Sequence, residues 1–275
     1  MRRTTGAVVC PNCERLVSAQ DAKCPYCGTW RPGMFGYGPA LSRLLGGKLD
    51  LSNAITVACA VMYVLSLLLD PAALLHFGGL FDLFAPSGEA LFRLGMTGGI
   101  QLAAGQWWTL CTACFLHGSV LHILFNMVIM RRYLPMVTDL YGNVRGFVIF
   151  MVAGIAGFVL SGFLGGHNTI GASGAIFGLL GALICYGRKT GQSYVTGQLW
   201  TAAIFMFVMS FLMGGQVNNW AHLGGFIGGY LAAQMMPTTH RGEGPGMMVL
   251  AGGLALVTVA GFALSFVGFA PLLGH

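Results

Sequence analysis

Four polar side chains lie within long apolar segments of this sequence and together could perform acyl transfer. Ser173 opens the apolar run 171–187. Two further apolar runs contain His222 and the pair His122 and Asn126. A serine alone would carry little weight, because a serine in a membrane helix usually bonds its own backbone. A serine with a histidine supplies a nucleophile and its base, and additional donors can stabilise an oxyanion.

The composition places the chain among integral membrane proteins. Charged residues make up 8% of the 275 residues, and the mean hydropathy is +0.74. Because backbone groups in lipid must be satisfied within their own segment, the apolar runs are predicted to be helices. Seven such spans are predicted, at 51–69, 115–134, 146–164, 171–187, 197–213, 219–236 and 247–269.

The basic residues indicate how these spans are oriented. With a cytoplasmic N-terminus, every Lys and Arg except Arg93 lies in a cytoplasmic segment. Ser173, His222 and His122 then fall in the first part of inward-running spans, at similar depth near the outer face. The sequence predicts a multi-pass protein of a bacterial-type plasma membrane. The net charge of +6 reflects this topology, so nucleic acid is not predicted as a partner.

Residues 6–32 contain two Cys-x-x-Cys pairs, formed by Cys10, Cys13, Cys24 and Cys27. Four thiolates complete a closed tetrahedral zinc site, and a cytoplasmic location disfavours disulfides. Redox-active cysteines and iron are the alternatives. The segment is predicted to be a zinc-ribbon-like module that folds with its metal. Its role is either structural or docking to a cytoplasmic partner, and the sequence leaves both open.

Glycines flank the serine and the histidine at helical spacing. Gly174 follows Ser173 on the fourth span, and Gly225 lies one turn after His222 on the sixth. Small residues at such spacing let helices approach closely, so these spans are predicted to pack together. Their contact would bring Ser173 and His222 within hydrogen-bond reach. Phe177, one turn after Ser173, is predicted to pack against the imidazole.

His122 and Asn126 are four residues apart and share one helix face. Both can donate hydrogen bonds toward a common point, although a pair that only joins two helices is the plainer interpretation. His117 lies nearly on another face and is predicted to hold the outer loop. His167 lies outside the spans and is predicted to be exposed.

Three ordered motifs resemble those of the rhomboid family of intramembrane serine proteases, over roughly residues 51–238. They are His117-Gly-Ser-Val-Leu-His122-Ile-Leu-Phe-Asn126, Gly171-Ala-Ser173-Gly174-Ala-Ile-Phe-Gly178, and Ala221-His222-Leu-Gly-Gly225 with Gly229. Two positions depart from the family pattern. Thr109 follows Trp108 where the family usually has arginine, and Phe177 stands where the family often has tyrosine.

The resemblance implies an all-α polytopic fold with a six-helix core and one added C-terminal helix. With the zinc module, the predicted organisation is 6–32 module, 33–50 linker, 51–238 core and 247–269 extra helix. The resemblance also implies a Ser173–His222 dyad without an aspartate, and an oxyanion site from His122, Asn126 and the Ser173 backbone N–H. No cofactor is expected for catalysis. The implied substrates are transmembrane proteins in the bilayer, cleaved near the outer end of their spans.

Two other functions compete with the peptidase hypothesis. An inactive relative could bind membrane helices as a scaffold or chaperone, but the joint presence of all four polar groups disfavours it. A small-solute transporter would need broken helices around a midplane site, whereas these polar residues lie nearer the outer side.

Overall fold

The computed structural model describes residues 4–11, 13, 15–38, 50–71, 79, 82–165, 168–212, 217–237 and 243–269. Within these ranges the membrane part consists of seven long helices and the segments that connect them. The long helices are α1 (Leu51–Leu69), α5 (Val120–Tyr141), α6 (Asn143–Leu164), α7 (Ser173–Thr190), α8 (Ser193–Leu212), α9 (Asn219–Gln234) and α10 (Pro245–Phe269). The predicted all-α fold class, with one helix added after the six-helix core, is confirmed.

The long connection between α1 and α5 contains its own short helices. These are α2 (Gly88–Arg93), α3 (Gly99–Ala103) and α4 (Thr109–Thr112), the last followed by a 3-10 turn at Ala113–Phe115. The second span was predicted to begin at residue 115, but α5 begins at Val120. Ser119 caps this helix, because its side chain accepts the His122 N–H at 3.2 Å. His117 therefore precedes the helix.

Five of the helices in the described ranges are long and apolar enough to cross a membrane, namely α1, α5, α6, α8 and α10. The remaining two of the seven long helices, α7 and α9, do not meet this criterion and have 18 and 16 residues. Every residue of α7 from Gly174 to Cys185 is buried, and α9 packs mainly against α7 and α6. Because protein surrounds α7, its stability does not depend on a lipid-facing apolar surface.

Glycines set the close contact between α7 and α9, as the sequence predicted. A side-chain carbon at Gly225 would overlap the Gly174 carbonyl, and one at Gly229 would overlap the Gly178 carbonyl. A side-chain carbon at Gly181 of α7 would likewise overlap the carbonyl of Phe226. Hydrogen at these positions lets the two backbones touch, which no larger residue permits.

The N-terminal module contains a two-stranded antiparallel hairpin, β1 (Ala7–Val9) and β2 (Leu16–Ser18), with Val8 opposite Val17. Both valines are buried against Cys10 and Cys24. The predicted linker at 33–50 lies largely outside the described residues, as does His167.

The module contacts the membrane part near Glu243, which lies shortly before α10 and is 2% exposed. The backbone N–H of Trp30 donates to the Glu243 carbonyl at 3.1 Å, and the Asn143 side chain donates to the Pro11 carbonyl at 3.1 Å. The Glu243 carboxylate accepts the backbone N–H groups of Val144 and Arg145 at 2.8 and 3.3 Å, at the start of α6. One buried residue thus joins the module, α6 and the approach to α10.

Replacing Gly225 with valine tests the close contact between α7 and α9. Gly225→Val should destabilise the protein by more than about 3 kcal/mol, because overlap with backbone cannot be relieved by a rotamer change. Thermal unfolding in detergent measures the effect. Gly253→Val is the matched control, since Gly253 lies within α10 and has no atom within 4 Å of its added carbon. Equal stability of the two variants would contradict the proposed packing.

Candidate active site and metal centre

Ser173 is the first residue of α7, and the backbone before it is unusual. Gly171 has φ +118°, a conformation that favours glycine, and it turns the chain into the helix. The Gly171 N–H donates to the Ala113 carbonyl at 2.9 Å, which fixes this turn to the segment before α5. The first backbone N–H groups of a helix have no partner within the helix. Ser173 therefore combines a hydroxyl with a backbone donor at the same end of α7.

His222 lies in the first turn of α9 and faces Ser173. Its Nε2 is 2.8 Å from Ser173 Oγ, so the predicted contact is present. Phe177 stacks on the imidazole with ring centroids 4.4 Å apart and 22° between planes, and Phe207 meets Phe177 edge-on. Within the described part of the chain, His222 Nδ1 has no hydrogen-bond partner. Aromatic packing therefore holds the ring in place, without a carboxylate on Nδ1.

His122 is oriented with its Nε2 toward the turn that precedes Ser173. Its Nδ1 accepts the Gly118 N–H at 3.2 Å, so the proton of the neutral ring is on Nε2. A side-chain carbon at Gly171 would lie only 2.8 Å from that Nε2. The glycine thus leaves open a space into which a donor points.

Asn126 lies one turn further along α5 and is 5% exposed. Its amide donates to the His122 carbonyl at 2.8 Å, which ties its side chain to its own helix. The amide has a second hydrogen that this bond does not use. His117 is fully buried, and its ring lies edge-on to His122 at 5.0 Å. Its role in holding the outer loop stays a prediction.

Asn218 was not predicted as a site residue, and it links α9 to two neighbouring segments. Its side-chain oxygen Oδ1 caps α9 by accepting the Ala221 N–H at 3.2 Å. Its amide donates to Ser161 Oγ at 2.5 Å and to Thr169 Oγ1 at 2.9 Å. Asparagine just before an apolar run is a common helix-start signal, so the cap could have been found. Its contacts with Ser161 and Thr169 depend on the tertiary fold.

The four module cysteines form a site with the dimensions of a metal centre. Their Sγ atoms all lie within 4.8 Å of one another, and the pairs Cys10–Cys27 and Cys13–Cys24 are 3.7 and 3.6 Å apart. A tetrahedral ion with metal–sulfur bonds of about 2.3 Å requires sulfurs roughly 3.8 Å apart, which the distances within these two pairs match. The cluster could therefore hold a metal ion.

Ionisable groups in the module and beside it have shifted pKa values, and burial raises that of the Cys13 thiol. Burial raises the pKa of the Cys27 thiol, but hydrogen bonds with Thr29 and with the neighbouring thiols outweigh burial and lower it to about 6. A low pKa suits a metal-binding thiolate. Burial raises the pKa of the Glu243 carboxyl, although the N–H groups of Arg145 and Val144 oppose that shift.

Comparison with known proteins identifies relatives that match this membrane core. The family model described as "Rhomboid domain" matches residues 104–238. The putative rhomboid protease YdcA of Bacillus subtilis (strain 168) is 33% identical over 153 residues, covering 51% of this chain and 73% of YdcA.

Two longer relatives are matched over part of their length. The rhomboid protease GluP of Bacillus subtilis (strain 168) is 31% identical over 177 residues, covering 63% of this chain and 34% of GluP. RHOMBOID-like protein 7 of Arabidopsis thaliana is 34% identical over 154 residues, covering 54% of this chain and 49% of that protein. With most of YdcA matched at this identity, the chain belongs to the rhomboid family.

Proposed function

We propose that this protein is an intramembrane serine endopeptidase that cleaves transmembrane segments through Ser173 and His222. The observation that carries the proposal is the 2.8 Å contact between Ser173 Oγ and His222 Nε2. A nucleophile within hydrogen-bond reach of a base is the arrangement that acyl transfer requires. The stacked Phe177 ring keeps the base in that orientation.

In the proposed reaction, Ser173 Oγ attacks the carbonyl carbon of the scissile peptide bond while His222 Nε2 takes the hydroxyl proton. His222 then gives that proton to the leaving amine, and an acyl-enzyme forms on Ser173. Water, deprotonated by His222, attacks the ester and releases the acid. The same imidazole therefore acts as base and as acid in each half of the reaction.

The oxyanion of each tetrahedral intermediate would be bound beside Gly171. The proposed donors are His122 Nε2–H, the second amide hydrogen of Asn126 and the Ser173 backbone N–H. The support is the open space at Gly171 next to His122 Nε2. Donors already fixed by Gly118 and by the His122 carbonyl need no rearrangement when charge develops.

The substrates are proposed to be transmembrane proteins cleaved near their outer ends. Loops rich in Lys and Arg remain on the cytoplasmic side of membranes, and this rule assigns the N-terminal module to the cytoplasm of a bacterial-type cell. Ser173 is the first residue of α7 and His222 lies in the first turn of α9, so both would lie toward the opposite, outer face.

The module is proposed to bind one zinc ion through Cys10, Cys13, Cys24 and Cys27. A closed four-thiolate site would stabilise the hairpin and contribute no ligand to peptide cleavage. A tail of a substrate or another cytoplasmic protein is a proposed partner of this module.

Ser173→Ala and His222→Ala should each abolish cleavage, because each removes one member of the proton-transfer pair. Turnover of a single-span substrate and labelling of Ser173 by a fluorophosphonate measure the loss. Unchanged thermal unfolding would show that both variants remain folded. A folded parent that neither cleaves nor labels would favour the alternative, an inactive scaffold for membrane helices. Substantial turnover by either variant would exclude the dyad.

Asn126→Ala should lower kcat by about 10²- to 10³-fold with little change in KM, since the amide would act on developing charge. Phe125→Ala is the neighbouring control, because Phe125 is 52% exposed on the outside of the same helix. His122→Ala should lower kcat at least as much. A change confined to KM in both site variants would assign these residues to packing.

The double variant Cys24→Ser with Cys27→Ser should lose its metal and unfold residues 6–32, while the membrane core still cleaves a generic substrate in detergent. Elemental analysis of the parent should give about one zinc per chain. Leu16→Ala serves as a control that keeps all four thiols, since Leu16 lies on the hairpin and is 66% exposed. Stoichiometric zinc in the double variant, or complete loss of turnover with a folded core, would contradict the proposed separation.

A further inference from the structure

One narrow face of the C-terminal helix α10 is buried against the protein. Only 11% of its membrane-spanning window is buried. The buried residues Thr258, Gly261 and Ser265 recur at helical spacing, so they share one face. The remaining faces carry exposed apolar residues such as Leu256 and Val259, 69% and 70% exposed, as expected of a helix that mostly faces lipid.

This face contacts the segment that precedes α5. Trp108 Nε1–H donates to Ser265 Oγ at 3.0 Å. A side-chain carbon at Gly261 would lie 3.1 Å from Trp108 Cδ1 and 3.0 Å from Thr112 Cγ2, so the tryptophan and α4 lie directly on the helix backbone. The Phe262 ring lies edge-on to Phe115 at 6.5 Å.

The contacted segment depends on such packing. It consists of the four-residue helix α4 and the three-residue turn Ala113–Phe115, and helices of this length are not stable alone. Thr109, Thr112 and the whole turn are nevertheless buried. Thr112 Oγ1–H donates to the Gly95 carbonyl at 2.6 Å, and the Thr109 hydroxyl bonds Thr97. With these bonds, α10 supplies one wall of the pocket that holds this segment.

The same segment holds the turn that carries the proposed nucleophile. The Ala113 carbonyl accepts the Gly171 N–H at 2.9 Å, two residues before Ser173. A displacement of the turn at Ala113 would therefore move Gly171 and the start of α7. The Trp108–Ser265 bond lies at one end of this chain of contacts, and Ser173 lies at the other.

The bond itself is of a kind that is costly to leave unmade. Trp108 is half-buried and Ser265 is only 4% exposed, and an indole N–H withdrawn from solvent usually has a partner. A serine in a membrane helix commonly bonds its own backbone, but this hydroxyl accepts a hydrogen bond from a residue 157 positions away.

We propose that α10 positions the active site, with Trp108 and Ser265 as a paired anchor that holds the 109–115 segment and, through Ala113, the Gly171 turn. Trp108 and Ser265 are positioning residues and touch no reacting atom. The inference rests on the proposed peptidase function only for its kinetic readout. Its structural part concerns the order of the 109–115 segment and stands on the contacts alone.

The test is a double-variant cycle. Trp108→Phe removes the indole donor but keeps an aromatic ring, and Ser265→Ala removes the acceptor. Amide hydrogen exchange of residues 109–116 and Gly171 is measured in the full-length protein in detergent. Each single variant should speed this exchange by about 3- to 10-fold, the range expected for loss of one hydrogen bond. The double variant should show no further increase, because both changes break the same bond.

The kinetic readout uses the same proteins. The single variants should lower kcat by a similar factor and leave KM nearly unchanged, because the nucleophile is displaced while the substrate surface remains. Ser265→Thr keeps the hydroxyl and should restore both readouts. Leu264→Ala is the matched control, since Leu264 is adjacent on α10 but 50% exposed. Gly261→Leu, which pushes α10 away from Trp108, should have a larger effect than either single variant.

The outcomes separate this inference from the proposed function. Unchanged exchange in both single variants, or effects that multiply in the double variant, would overturn the anchor. Faster amide exchange in the single variants without a fall in kcat would also overturn the proposal that α10 positions the active site. A parent without turnover, combined with the expected exchange pattern, would reject the peptidase and support the anchor.

Discussion

Contact between the backbones of α7 and α9 is the constraint on which the rest of the membrane core depends. Gly174 and Gly178 on one helix meet Gly225 and Gly229 on the other, where any side-chain carbon would overlap a carbonyl group. At that separation Ser173 and His222 can share a hydrogen bond without a long side chain to bridge them. The neighbouring helices also pack closely around the rest of α7 and bury its large apolar side chains, among them Ile176, Leu179 and Ile184.

The sequence was sufficient to predict this contact, because glycine spacing and helix periodicity are local properties. The positions of Ser173, His222 and Phe177 followed from the same pattern, and their catalytic roles stay predictions. The cluster of four cysteines that could hold a metal ion was predicted as well, because each Cys-x-x-Cys pair is a local pattern. The start of α5 was wrong by five residues, because apolar composition continues through Phe115 and Leu116 while the Ser119 cap decides where the helix begins.

The contacts that sequence could not predict join residues far apart in the chain. Such contacts all involve at least one residue outside the long helices, and they are the Trp108–Ser265 bond, the Ala113–Gly171 bond and the links from Asn218 to Ser161 and Thr169. No periodic pattern encodes such pairs, and each depends on how the helices are arranged first. They are also the contacts that fix the loops around Ser173, so the fold is easier to read from sequence than the geometry of its site.

The bond between Trp30 and Glu243 has a consequence for biosynthesis. The module is translated early, whereas Glu243 follows about 200 residues later, on the order of 10–40 s at usual rates of synthesis. The hairpin and its thiolates therefore leave the ribosome well before their docking site exists, so metal loading can precede docking. The backbone N–H groups of Val144 and Arg145 also have no Glu243 carboxylate to bind until the chain beyond α9 has been synthesised. The contact between the module and the membrane part is thus completed late in assembly, only when the segment before α10 has been made.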